Sequence, residues 1–79
     1  MLVSIGNDSY VKMEDVEAIL PPESAPVKRM IDTAKDNNTC IDMTYGKRTK
    51  SVIIMKSNKL LLSSMMPNTL MKNLNKAGE

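Results

Sequence analysis

The sequence predicts an α+β fold: a small antiparallel sheet with one central helix and a short C-terminal helix. Three observations carry that expectation. Ser51-Val52-Ile53-Ile54-Met55 and Lys59-Leu60-Leu61-Leu62 are short runs too apolar for strands with one wet face. From Ser24 to Asn38, a capping serine, an early proline and apolar residues at helical spacing describe one amphipathic helix. Pro67, ahead of Leu70, Met71 and Leu74, opens a second helix.

The elements follow in order. Leu2 to Ile5 and Tyr10 to Met13 read as strands separated by Gly6-Asn7-Asp8, a strong turn signal. Val16 to Leu20 reads as a third strand ended by Pro21-Pro22, with a helical reading still open. Ser24 then caps a helix whose first turn tolerates Pro26, because an N–H there has no intrahelical acceptor. Val27, Met30, Ile31 and Ala34 share one face, and Asn37-Asn38 ends the helix because asparagine accepts the left-handed conformation. On the outer face, Lys28, Asp32 and Lys35 are spaced to satisfy one another. Thr39 to Met43 is a strand, and Thr44-Tyr45-Gly46 a turn. Ser57-Asn58 is expected as a two-residue hairpin turn between the two apolar runs. Two doubly buried strands in so small a domain call for a helix on one face and a neighbouring subunit on the other. Asn75 to Glu79 should fray. No repeat, low-complexity tract or linker divides the chain, so residues 1–79 form one domain.

Composition narrows the chemistry by exclusion. The chain has 79 residues, a size that buries only about 60% of its unfolded surface, so assembly with identical copies is the expected support. With no histidine, every histidine-based triad, metal site and proton relay is excluded. Cys40 stands alone, which rules out a disulfide within the chain and a thiolate zinc site; a small buried hydrophobe is the expected role. A lone thiol also fits a reducing cytosol. No segment approaches the roughly 18 apolar residues that span a bilayer, and the N-terminus lacks the pattern of a signal peptide. The expectation is a soluble intracellular protein with no membrane partner. The eight methionines are expected mainly as core filling, with Met65-Met66 available for a subunit contact. Asp42 near Lys47 has no second carboxylate or nucleophile–base pair beside it. No catalysis, cofactor, metal or small-molecule substrate is expected.

Charge is unevenly distributed. Residues 1–25 carry Lys12 against Asp8, Glu14, Asp15, Glu17 and Glu23, a net −4; residues 26–79 carry ten cations against four acids, a net +6. A basic half suits an anionic partner, and two unlike ends suit head-to-tail rings or filaments. The densest charge is Gly46-Lys47-Arg48-Thr49-Lys50. Glycine permits the turn from which long side chains fan outward. Arg48 can hold a phosphate through two parallel N–H donors, whereas Lys47 and Lys50 act as point charges; Thr44, Thr49 and Tyr45 add hydroxyls. The ordinary reading of such a run is a solvated turn that keeps a strand soluble. The functional reading is a site for a polyanion. Lys28 and Arg29 are secondary candidates, with a solvated helix face as the ordinary alternative.

Absent Phe and Trp, and with only Tyr10 and Tyr45, a stacking platform for single strands is not expected. No helix-turn-helix pair is evident either. Double-stranded DNA, held through its phosphates and its shape, is the remaining nucleic-acid option. A few cations per subunit bind weakly, and repetition around a homo-oligomer would multiply them.

Two segments closely resemble the RemA family of bacterial matrix regulators: Pro22-Glu23-Ser24-Ala25-Pro26-Val27-Lys28-Arg29, and Ile41-Asp42-Met43-Thr44-Tyr45-Gly46-Lys47-Arg48-Thr49-Lys50-Ser51-Val52-Ile53-Ile54. The likeness runs over roughly residues 16–74, while the first fifteen residues are more similar to the shorter RemB-type proteins. The resemblance implies a LytTR-like domain assembled into rings. It also implies a DNA-binding transcription regulator of biofilm-matrix genes in the cytoplasm, associated with the nucleoid. The family's adjacent arginines fall on Lys47 and Arg48, and its next arginine on Lys50. A further DNA-associated arginine falls on Asp15, which reverses the sign there. Two alternatives stay open: a ring-forming structural or protein-interaction module with weak or lost DNA binding, and an oligomer that binds RNA or another polyanion.

Overall fold

The computed structural model describes residues 1–78. In chain order it has β1 (Leu2–Gly6), β2 (Ser9–Lys12), a single 3₁₀ turn (Met13–Asp15) and β3 (Val16–Leu20). Then follow α1 (Ala25–Asp36), β4 (Cys40–Asp42), β5 (Ser51–Met55), β6 (Leu60–Ser63) and α2 (Pro67–Gly78). β1 and β2 form an antiparallel hairpin of their own. The other four strands form a sheet in the order β3-β5-β6-β4.

The α+β class stands, but the sheet departs from the antiparallel expectation. β4 pairs with β6 in parallel, Cys40 opposite Leu60 and Asp42 opposite Leu62. The cause is connectivity. The chain leaves β4 at one edge, passes the end of β6 and enters β5, which runs antiparallel to β6. Stepping over a strand needs a longer connection than a tight hairpin, and residues 43–50 supply it.

β5 and β6 are buried on both faces because side chains alternate across the sheet. Ile53, Met55 and Leu61 point to one side and pack with Ile5, Val11 and Leu70. Val52, Leu60 and Leu62 point to the other and pack with Val27 and Ala34 of α1. The first layer is closed by the chain's own N-terminal hairpin and α2. A neighbouring subunit, expected on that face, is not what covers it. Within this layer Ser51 and Ser63 stand opposite each other and are fully buried. Their hydroxyls are satisfied: Ser51 Oγ donates to the Met65 carbonyl at 2.5 Å, and Ser63 Oγ to the Ile5 carbonyl at 2.7 Å. The second bond ties β1 to the end of β6.

Local signals hold well. Ser24 Oγ accepts from the Val27 amide at 3.4 Å, and Asn38 takes φ 59° just past the helix end. Four details differ. Met30 is 39% exposed: it stands at the margin of the helical stripe and lines an open groove with Ala34. The β5–β6 hairpin uses a three-residue loop: the Asn58 amide reaches the Met55 carbonyl at 3.0 Å and Asn58 takes φ 65°. Asparagine at the left-handed third position replaces the expected two-residue turn. α2 runs on to Gly78 where fraying was expected, and Glu79 lies outside the described residues. Among the described residues, the one ion pair joins the Met1 amine to Glu14 at 2.7 Å, so Lys28, Asp32 and Lys35 do not pair directly.

Cys40 is half-buried beside the α1 layer, and burial pushes its thiol above the ordinary value. No helix among the described residues is long and apolar enough to cross a membrane.

The double-sided burial of β5 makes a sharp contrast between two apolar positions. Ile53→Ala should cost about 2–5 kcal/mol, since it opens a cavity between two covered layers. Met30→Ala should cost less than about 1 kcal/mol. Urea denaturation at one fixed protein concentration checks both, and equal costs would contradict the packing described.

Candidate nucleic-acid interface

Residues 43–50 form a strap across the end of β6. Its two ends are pinned to that strand: the Met43 amide donates to the Leu62 carbonyl at 3.0 Å, and the Lys50 amide to the Ser63 carbonyl at 2.9 Å. Between these pins the chain turns once. The Lys47 amide closes the turn on the Thr44 carbonyl at 3.0 Å, with Tyr45 at φ 52° and Gly46 at φ 84°. A Cβ added at Gly46 would meet no atom within 4 Å, so the glycine serves backbone conformation and not space.

The base of the turn is held by polar side chains. Asp42 Oδ1 accepts from the Thr44 amide at 2.8 Å and from Thr44 Oγ1 at 2.5 Å. Those two donors favour the ionised carboxylate and hold Asp42 below its ordinary value. Asp42 is thus paired locally, and Thr44 is only 2% exposed. From the opposite side Asn7 Nδ2 reaches the carbonyls of Met43 and Thr44 at 3.3 and 3.4 Å, and Ser64 Oγ at 3.0 Å.

Lys47, Arg48 and Lys50 are exposed and Thr49 is half-buried. None of the three cations has a carboxylate within ion-pair distance among the described residues. Arg48, Thr49 and Lys50 line a groove of about 390 Å³ whose other wall includes Pro21, Glu23, Met66, Pro67 and Asn68. Lys47 lies outside that groove, on the turn itself. Such an array of open donors on a pinned strap can grip phosphate oxygens and carries no base-reading geometry of its own.

The two secondary candidates are not gathered here. Arg29 lines a separate groove with Met30, Ile54, Asn58 and Lys59, toward the β5–β6 hairpin, and Lys28 is exposed on α1. Asp15 sits at the far end of β5 from the strap: its carbonyl accepts from the Lys56 amide at 2.7 Å, and Val16 pairs with Met55. Six rises of ~3.3 Å, from Lys50 to the level of Lys56, separate it from Lys50 by roughly 20 Å.

Sequence reasoning missed Glu23 and Asn7 as neighbours of this loop. Glu23 follows from strand pairing: once β3 pairs with β5, the Pro-Pro turn before α1 lies at the same sheet end as residue 52. Asn7 had no local signal, since its acceptors lie 36, 37 and 57 residues away.

The Asp42–Thr44 pairing has a pH signature. A depressed carboxyl contributes stability that is present above the ordinary value of 3.8 and is lost as pH falls through the lower folded value. An NMR titration of the Asp42 carboxyl should give a midpoint below 3.8, and Thr44→Val should move it upward. An unshifted midpoint in both proteins would contradict the pairing.

Comparison with known proteins agrees with the motif reading. The profile of the RemA-like family, described as extracellular matrix regulatory protein A-like, matches residues 2–74. Among curated relatives, a protein of Oceanobacillus iheyensis is 46% identical over 68 residues, covering 86% of this chain and 79% of the relative. One from Trichormus variabilis is 48% identical over 68 residues, covering 86% and 77%. One from Clostridium kluyveri is 44% identical over 78 residues, covering 99% and 85%. All three carry provisional names as regulatory proteins. Matched motifs at the Pro22–Arg29 and Ile41–Ile54 segments, and this breadth of similarity, place the chain in the RemA-like family.

Proposed function

We propose that this protein is an oligomeric, non-catalytic regulator that binds double-stranded DNA through Lys47, Arg48 and Lys50, with Thr49 as a hydroxyl contact. The observation that carries the reading is a strap of three cations, without an ion-pair partner among the described residues, pinned at both ends to a fully buried strand. Pinning matters because a site held in place before binding loses less conformational entropy on binding. Arg48 grips one phosphate through two donors, and the lysines add charge on either side. Lys28 and Arg29 contribute background field from α1. Family membership supports a regulatory role, with genes of the matrix or biofilm type as targets in the cytoplasm and the nucleoid as the place of action.

Three phosphate contacts per chain correspond to a log–log salt slope of about −2.7, too shallow for a tight complex. A LytTR-like domain repeated around a ring of identical copies multiplies the contacts, so the slope becomes steeper than one chain can give. Light scattering with and without a duplex, across a salt series, reads assembly and binding together. Wild type should form a homo-oligomer and bind with a slope steeper than about −2.7. Lys47→Ala combined with Arg48→Ala should abolish binding and leave the assembly intact. A double variant that binds like wild type overturns the assignment of the loop.

A second reading has its own observation. Glu14, Asp15 and Glu17 are exposed around the 3₁₀ turn, three acids at the opposite end of β5 from the strap, with Lys12 and Lys56 beside them. On that reading the chain is a ring-forming structural or interaction module with weak DNA binding. Asp15→Arg should then raise duplex affinity from near nothing. Equal affinity for heparin, RNA and DNA would mark a general polyanion binder instead.

A further inference from the structure

We propose that Asn7 is a positioning residue for the basic strap, setting DNA affinity from the N-terminal hairpin without touching the ligand. The inference rests on the strap being the DNA site. Its basis is the way the strap is held. Main-chain bonds fix Met43, Lys47 and Lys50, but among the described residues none fixes Arg48 or Thr49. The direction in which Arg48 projects therefore depends on how firmly the turn before it is anchored. That turn starts at Met43 and Thr44, the two residues whose carbonyls Asn7 Nδ2 binds. The Thr44 carbonyl also receives the Lys47 amide, so the Asn7 amide acts at the closure of the turn itself. The same nitrogen reaches Ser64 Oγ at 3.0 Å, so one of its two N–H groups serves Ser64 and the other is shared between the two carbonyls, which fixes the turn relative to the segment following β6.

The demands on position 7 separate into two. Gly6-Asn7-Asp8 takes φ 95°, 53° and 60°, and Gly6 pairs with Ser9, so the hairpin needs left-handed residues at both central positions. Glycine, asparagine and aspartate all serve that need. Only an amide adds donors aimed at two carbonyls. Asn7→Gly therefore keeps the hairpin and deletes the brace. Asn7→Asp keeps the shape and presents acceptors where donors are needed.

The test combines duplex titration over a salt series with amide hydrogen exchange on the full chain. Asn7→Gly should bind duplex on the order of tenfold more weakly with an unchanged salt slope, because the contacts are made by the same charges in a less ordered loop. Exchange should accelerate at residues 43–50 and stay slow at Ile53 and Leu61. Asn7→Asp should show the same local acceleration. Arg48→Ala, by contrast, should flatten the slope. Wild-type affinity in Asn7→Gly overturns the proposal, as does acceleration that spreads through β1, β2 and the core, which would make the amide a general support of the fold. Should wild type bind no duplex, the DNA reading fails, and a local acceleration still supports the brace.

Discussion

Covering β5 on both faces is the constraint on which the rest of the molecule depends. Val52, Ile53 and Met55 leave no wet side, so the chain must supply two layers to close them. α1 provides one, and the β1–β2 hairpin with α2 provides the other. Because β6 already occupies one flank of β5, the chain arriving from β4 has to pass around its end. That detour is the strap, and it explains why the most basic stretch lies at the sheet rim with its side chains in water. Burial and charge display are thus two results of one topology.

The rim also settles which charges act together within one chain. Arg48 and Lys50 share a groove with the start of α2 and with Glu23, whose carboxylate tempers the local field. Asp15 lies at the other end of the same strand, beside Glu14 and the Met1 amine. The Asp15 end also carries Lys56, and Glu23 lies at the strap end, so the −4 and +6 split of the sequence halves does not map simply onto the two ends of β5.

Much of this was legible in residue order because its causes are local. Ser24 caps a helix through a bond to an amide three positions on, Asn38 ends it by its own backbone conformation, and β3 and β5 match the apolar runs that name them. The loop itself was legible from Gly46 and three clustered cations. What escaped depended on distant partners. The parallel pairing of β4 follows from strand order, which periodicity does not encode. The cover over Ile53 comes from Ile5 and Val11, forty or more positions earlier, and from Leu70 of α2, so sequence pattern registered a buried face but assigned its cover to a neighbouring subunit. Asn7 reads as a turn residue, and it is one; its second role exists only when the hairpin folds against the strap.

The most direct measurement of the central claim is an amide-exchange footprint of the wild-type protein with and without a saturating DNA duplex. The account predicts new protection concentrated at Thr44 to Lys50, with Glu14 to Glu17 at the opposite end of β5 unchanged apart from effects of assembly already present without DNA. Protection that instead gathers at the acidic end or along α1, with the strap unaffected, would contradict it.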